Sequence, residues 1–173
     1  YFTEYINFTY CSGFPLSYQG ISNKDIYKKQ CKMYRLVYPA LNYTSKYIND
    51  KSTDDNRIHI GFISTNFFSH SVTRDRMGII HHLPRDKYKV SVFYYFKPSD
   101  DLGLSIWNSD NNNVILPETN LIERRNVIEN QKLDVLVYCD IGMSPETYML
   151  AFSRLAPIQI TTWGHSDTSG IDT

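Results

Sequence analysis

From Arg57 onward, short apolar runs rich in β-branched residues alternate with stretches in which apolar positions recur at helical spacing. The run Ile58-His59-Ile60-Gly61-Phe62-Ile63 predicts a first strand and Val72 to His82 a helix. Tyr88 to Phe96 then predicts a second strand, Asp101 to Trp107 a short helix, and Val114-Ile115-Leu116 a weaker third strand. A helix over Leu121 to Asn130 leads to a fourth strand, Leu133 to Tyr138. A helix over Pro145 to Arg154, with proline in its first turn, precedes a fifth strand, Ile158 to Trp163. Strands separated by helices need right-handed crossovers, so residues 57–173 are expected to form an α/β, Rossmann-like parallel sheet with helices on both faces.

Residues 1–56 read as a helical preface and connector. Ile26, Met33, Leu36, Val37 and Leu41 recur at roughly helical spacing, Ser22-Asn23 can cap a helix beginning near Lys24, and Pro39 ends it. The charged, apolar-free segment Asn49 to Asn56 leads into the sheet.

In such a sheet the loops after the first, fourth and fifth strands gather at one edge, where open α/β sheets bind ligands. The first loop, Ser64 to Thr73, runs into a helix N-terminus that favours an oxyanion, and carries His70 close to it. His70 reads either as a site imidazole or as a helix-start residue with a local hydrogen bond. The second loop is Asp140-Ile141-Gly142-Met143-Ser144, whose Asp140 and Ser144 also read as helix-start residues. The third, Gly164-His165-Ser166-Asp167-Thr168-Ser169-Gly170, combines hydroxyls, an imidazole and two glycines, and reads either as a ligand loop or as a surface turn. One ligand can use all three loops together, so His70, Gly142 and Gly164 are expected around a shared concavity.

Composition narrows the partners. Lys+Arg and Asp+Glu balance at 18 each in 173 residues, so no global field favours nucleic acid or an anionic membrane. Cys11, Cys31 and Cys139 are odd in number and share no CxxC spacing, which suits free thiols in a reducing compartment. The sequons Asn7-Phe8-Thr9 and Asn42-Tyr43-Thr44 matter only in a secretory protein, and no signal peptide or long apolar run is visible. A soluble, cytoplasmic protein is the expectation. There is no GxGxxG, no P-loop and no internal repeat, and nothing calls for a metal or cofactor. His59, inside a strand, and His81 and His82, at a helix end, read as structural; Tyr94-Tyr95-Phe96 and Trp107 read as core or helix packing, and Arg124-Arg125 as solvated helix surface.

The string Ala156-Pro157-Ile158-Gln159, the Trp163-Gly164-His165 loop and the step Thr168-Ser169-Gly170 resemble the end of the first catalytic lobe in the nucleocytoplasmic O-GlcNAc transferase family, which includes the SPINDLY-type proteins. IHIGFIS followed by STNFFSHSV is similar to an earlier part of that lobe. The resemblance covers Arg57 to Asp172 well and the preface more loosely. It implies one lobe of a two-lobed GT-B-type glycosyltransferase that takes a nucleotide sugar, UDP-GlcNAc or similar, and modifies Ser or Thr of a protein acceptor with inversion and without a metal. A second lobe, holding most of the nucleotide, and upstream helical repeats are the further partners it implies.

By the same resemblance His70 is a catalytic candidate, and Ser71, Val72, Gly142, Met143, Ser144, Trp163, Gly164 and His165 are expected to bind substrate, so that Gly164→Val should mainly obstruct the donor. Two positions depart from the family. Where the animal enzymes have Pro-Leu-Ser-His-Gly, this chain has Pro15-Leu16-Ser17-Tyr18-Gln19-Gly20, placing Tyr18 at or beside the histidine proposed as base. The Asp of a Ser-Ser-Asp-Phe segment, a second proposed base, is Asn66 here. An amide cannot take a proton at neutral pH, and an ordinary phenol, with a pKa of about 10, is a poor base. A non-catalytic α/β binding or interaction domain is therefore the alternative reading.

Overall fold

The computed structural model describes residues 13–49, 55–118, 120–165 and 167–172. Cys11, the Asn7-Phe8-Thr9 sequon, most of the charged connector and Ser166 lie outside them. Five strands, β1 (Ile58–Ser64), β2 (Tyr88–Tyr94), β3 (Asn112–Ile115), β4 (Val135–Tyr138) and β5 (Ile158–Thr161), form one sheet in the order β3-β2-β1-β4-β5. Every pairing is parallel, with Ile60 of β1 opposite both Val90 of β2 and Val135 of β4. The carboxyl ends of β1, β4 and β5 therefore share one edge.

Among the described residues five α-helices accompany the sheet: α1 (Lys24–Val37), α2 (Ser71–His82), α3 (Asp101–Trp107), α4 (Leu121–Glu129) and α5 (Pro145–Ala151). Their starts follow the local chemistry. Asp100 accepts from the Gly103 amide at 3.0 Å and Asn120 from the Glu123 amide at 3.0 Å, each satisfying a donor with no intrahelical partner. On one face of the sheet Val72, Ile80 and Ile106 pack against Phe62, Val92 and Val137. On the other, Ile128, Tyr148 and Phe152 pack with Ile63, Phe93 and Leu136, and Cys31, Tyr34 and Leu41 of the preface join this same core. The expected fold class stands, and the preface has no separate core.

Three expectations change. The apolar face of α1 inferred from Ile26, Met33, Leu36 and Val37 is the exposed one, with Leu36 81% accessible; Tyr27, Cys31 and Tyr34 form the buried stripe. Both stripes are apolar at helical period, and the core took the one whose rings stack edge-on against Tyr148 and Phe152. Asn23 precedes α1, yet its side chain does not cap it; the amide donates instead to Asp167 at 2.8 Å. Arg125 is not solvated: it is 5% exposed, donates to the Ala40 carbonyl at 2.5 Å and lies 4.3 Å from the Tyr43 ring centre. Arg124 is half-buried and donates to the Pro117 carbonyl at 3.0 Å.

Smaller boundary shifts follow from pairing. Strand β2 stops at Tyr94, leaving Phe96 half exposed rather than in the core, while Trp107 packs edge-on against Tyr94 at 5.1 Å. His59 is structural as expected: its Nε2 lies 2.8 Å from Ser91 Oγ, and burial, with Lys89 nearby, lowers its imidazole to about 4. Cys31 and Cys139 are free and buried, and burial pushes both thiols up. No described helix is long and apolar enough to cross a membrane.

Candidate functional site

Asp140 stands at the carboxyl end of β4, entirely out of solvent, and ties the loop after β1 to the loop after β4. Its Oδ2 accepts from Ser64 Oγ at 2.8 Å, the Thr65 amide at 2.7 Å, Thr65 Oγ1 at 2.9 Å and Asn66 Nδ2 at 3.1 Å, whereas Oδ1 has no partner. Hydrogen bonds to a carboxylate are among the stronger ones, and here several converge on one oxygen. Thr73 closes the other end of the β1 loop, donating its hydroxyl toward the Asn66 and Phe68 carbonyls at 2.7 and 2.6 Å. Asp140 is thus a loop organiser; Ser144 holds the position before α5, but its hydroxyl donates to Glu146 at 2.8 Å and does not cap the helix.

The Asn66 carboxamide is oriented by this network. Its nitrogen donates to Asp140 and, at 3.2 Å, to Thr65 Oγ1, which leaves the carbonyl oxygen as the group an incoming hydroxyl could donate to. His70 caps α2: its Nδ1 accepts from the Val72 amide at 3.2 Å. In a neutral ring the proton then sits on Nε2, making that nitrogen a donor. Ser71 beside it is exposed; Val72 contributes neither its side chain, which is in the core, nor its amide, which His70 holds.

The loops after β4 and β5 touch directly. Gly142 has φ +90°, a conformation suited to glycine, and a Cβ there would lie 3.0 Å from His165 Cβ. A Cβ on Gly164 would lie 2.5 Å from the Cys139 carbonyl oxygen and 2.7 Å from Asp140 Cα. Those are backbone atoms and cannot swing aside, which revises the expectation for Gly164→Val. We expect it to lower stability by about 1–3 kcal/mol, seen as a lower urea midpoint before any effect on a donor; an unchanged midpoint would return Gly164 to a purely ligand-facing role.

The preface closes the third side. A 3₁₀ turn over Phe14–Tyr18 lays Phe14 against the His165 ring, centroids 4.3 Å apart, and Ser17 Oγ donates to Asp167 at 2.9 Å. The Asn23 hydrogen bond, with Ser17's, holds the Asp167 carboxyl below its usual range. A hollow opens here, lined by Phe14, Tyr27, Gly142, Tyr148, His165 and Asp167 among others. Met143 is half-buried, and Tyr18 is exposed at the rim of the turn, its ring 5.7 Å from that of Phe14. His70 and Gly164 do not line this hollow. The three loops therefore share an edge, but the hollow belongs to the loops after β4 and β5 together with the preface.

Trp163, beyond the end of β5, is 72% exposed with its ring over Arg76. Sequence reasoning passed over Arg76, because an arginine in the middle of a helix ordinarily faces water. Among the described residues no group of three or more His, Cys, Asp or Glu is placed to hold a metal ion.

No protein-family model matches the chain, and no curated protein sequence matches it. Among solved structures it is similar to a mutant O-GlcNAc transferase from Thermobaculum terrenum, with a TM-score of 0.69 and 21% identity over 90% of this chain. The match spans 30% of that protein's chain. The likeness is one of fold, an O-GlcNAc-transferase-like α/β lobe.

Proposed function

We propose that this chain supplies the first lobe of a glycosyltransferase that moves a sugar from a nucleotide-sugar donor, UDP-GlcNAc or similar, to a Ser or Thr hydroxyl of a protein. The observation that carries the reading is the fold likeness to an O-GlcNAc transferase over 90% of the chain. The gathering of three polar loops at the carboxyl edge of the sheet supports it.

In this reaction the acceptor oxygen forms a bond to the anomeric carbon while the bond from that carbon to the phosphate oxygen breaks. The nucleoside diphosphate departs with the electron pair, and the hydroxyl proton passes to the departing diphosphate or to solvent. Neither the Asn66 amide nor an ordinary Tyr18 phenol is a good base for that proton. Asn66 suits a positioning role instead, since with its nitrogen held by Asp140 its carbonyl oxygen can align the attacking hydroxyl. His70, its proton on Nε2, can donate to donor or acceptor, and the walls formed by Trp163, Gly164 and His165 would confine the sugar.

Asn66 also favours the second reading, a lobe that binds without catalysing. The two separate by experiment. The protein carrying both lobes is expected to transfer radiolabelled sugar from UDP-GlcNAc or another nucleotide sugar to acceptor protein. The 173-residue chain is expected to bind UDP only in the millimolar range, where binding is worth about 4 kcal/mol. Micromolar binding by the chain would move the nucleotide site into this lobe. Donor binding without transfer by the two-lobed protein would leave a binding domain.

A further inference from the structure

We infer that Arg76, covered by the Trp163 ring, is a binding site for an oxyanion of the phosphate class at the carboxyl edge of the sheet. The buried positions of α2 are Val72, Thr73, Arg76 and Ile80, so the arginine stands in the stripe that faces the sheet rather than the one that faces water. It is 1% exposed, and its Nε and Nη1 have no hydrogen-bond partner. Arg76 is in neither of the ion pairs Arg35–Asp172 and Arg57–Asp55, and it makes none with Asp140. Its one ring contact places the guanidinium carbon 4.4 Å from the centre of the Trp163 indole. A cation–π contact offsets only part of the cost of taking a guanidinium out of water.

Arg125 shows how this chain accommodates an arginine that serves the fold alone. It too is buried against a ring and leaves its Nε without a partner, but its Nη1 donates to the Ala40 carbonyl and approaches Ser153 Oγ at 3.5 Å. Arg76 has no such partner, and its Nε and Nη1, both buried and free, are charge-assisted donors for the oxygens of a phosphate-class anion. Its cover is unlike the rest of the core. Trp163 follows a strand end, is 72% exposed, and precedes the glycine that packs on Cys139 and Asp140. Such a ring can turn aside to admit an anion without unpacking the sheet.

The glycosyltransferase reading is used only to name the anion, the diphosphate of a donor or departing nucleotide; the existence of the site does not depend on it. The test is a titration of the 173-residue chain with inorganic pyrophosphate, followed by thermal unfolding and tryptophan fluorescence, with acetate as the carboxylate control. Pyrophosphate is expected to raise the unfolding temperature saturably, and Arg76→Gln to weaken that response by about tenfold or more. Acetate at the same concentrations should do little. In the absence of anion, Arg76→Met should unfold at the same temperature as the parent or higher, since it removes a buried charge with no partner. A lower unfolding temperature for Arg76→Met would make the arginine structural, a silent counter-ion of Asp140, and overturn the site. No saturable pyrophosphate response in the parent, or an equal one in Arg76→Gln, would also overturn it. An acetate response matching that of pyrophosphate would overturn the assignment to phosphate. Failure of sugar transfer would leave all these outcomes unchanged, so the two proposals fall separately.

Discussion

Asp140→Ala should lower the stability of the fold by about 2–4 kcal/mol, because it takes the shared acceptor from four donors at once, one of them buried and three half-buried. Ser64 Oγ, the Thr65 amide, Thr65 Oγ1 and Asn66 Nδ2 all point at one carboxylate oxygen; Ser64 is buried with it, and Thr65 and Asn66 are half-buried. The backbone donor is the costliest, since its direction is set by the end of β1. Asp140→Asn should cost about 1–3 kcal/mol, keeping an oxygen acceptor but losing charge assistance. Urea unfolding of the two variants and the parent measures this. Equal midpoints for Ala and Asn, which differ both in volume and in having an oxygen acceptor, would show that hydrogen bonding to that oxygen is dispensable.

In the protein carrying both lobes, His70→Ala should reduce turnover by about 10²-fold if the imidazole acts in the transition state, the usual scale for one positioned acid, base or electrostatic group. The capping hydrogen bond complicates that number, because alanine also leaves the Val72 amide without its acceptor, at a cost of about 1 kcal/mol in stability. His70→Asn resolves it. Asparagine caps helices well but offers no imidazole, so it should restore the stability while turnover stays as low as in the alanine variant. Turnover recovering with the cap would assign His70 to the helix alone, and unchanged turnover in both variants would take His70 out of the reaction.

Much of the fold was legible, since alternating runs such as Ile58 to Ile63 and Leu133 to Tyr138 carry the strand signal in their own composition, and crossover handedness then orders them. What stayed hidden was which of two possible partners a residue would choose. In α1 the stripe through Ile26 and Met33 and the stripe through Tyr27, Cys31 and Tyr34 both have helical period, and only the tertiary neighbours Tyr148 and Phe152 decide between them. Arg125 read as solvated because charge on a helix usually is, and Arg76 drew no reading; a ring from a distant loop covers each, and no local pattern announces that. Asp140 was legible as a loop residue but not as the acceptor for its neighbours across the sheet edge, because those donors lie far away in sequence. The three loops were placed on one edge correctly, whereas the hollow formed where the preface met the β5 loop, a contact invisible in either segment alone.

That contact sets an order on the ribosome. The partners of α1 lie far down the chain: Asn23 meets Asp167 across 144 residues and Cys31 meets Tyr148 across 117. Made well before them, the helix waits for the β5 loop, roughly 7–30 s at ordinary rates of translation. During that interval Tyr27, Cys31 and Tyr34 have nothing to cover them, and the stripe through Met33 and Leu36 adds to the apolar surface on show. The nascent chain is therefore most open to chaperone capture, or to misassembly with another nascent copy, before Tyr148, Phe152 and then Asp167 emerge, and a premature stop upstream of the β5 loop would release a sheet whose preface lacks its hydrogen bonds to Asp167.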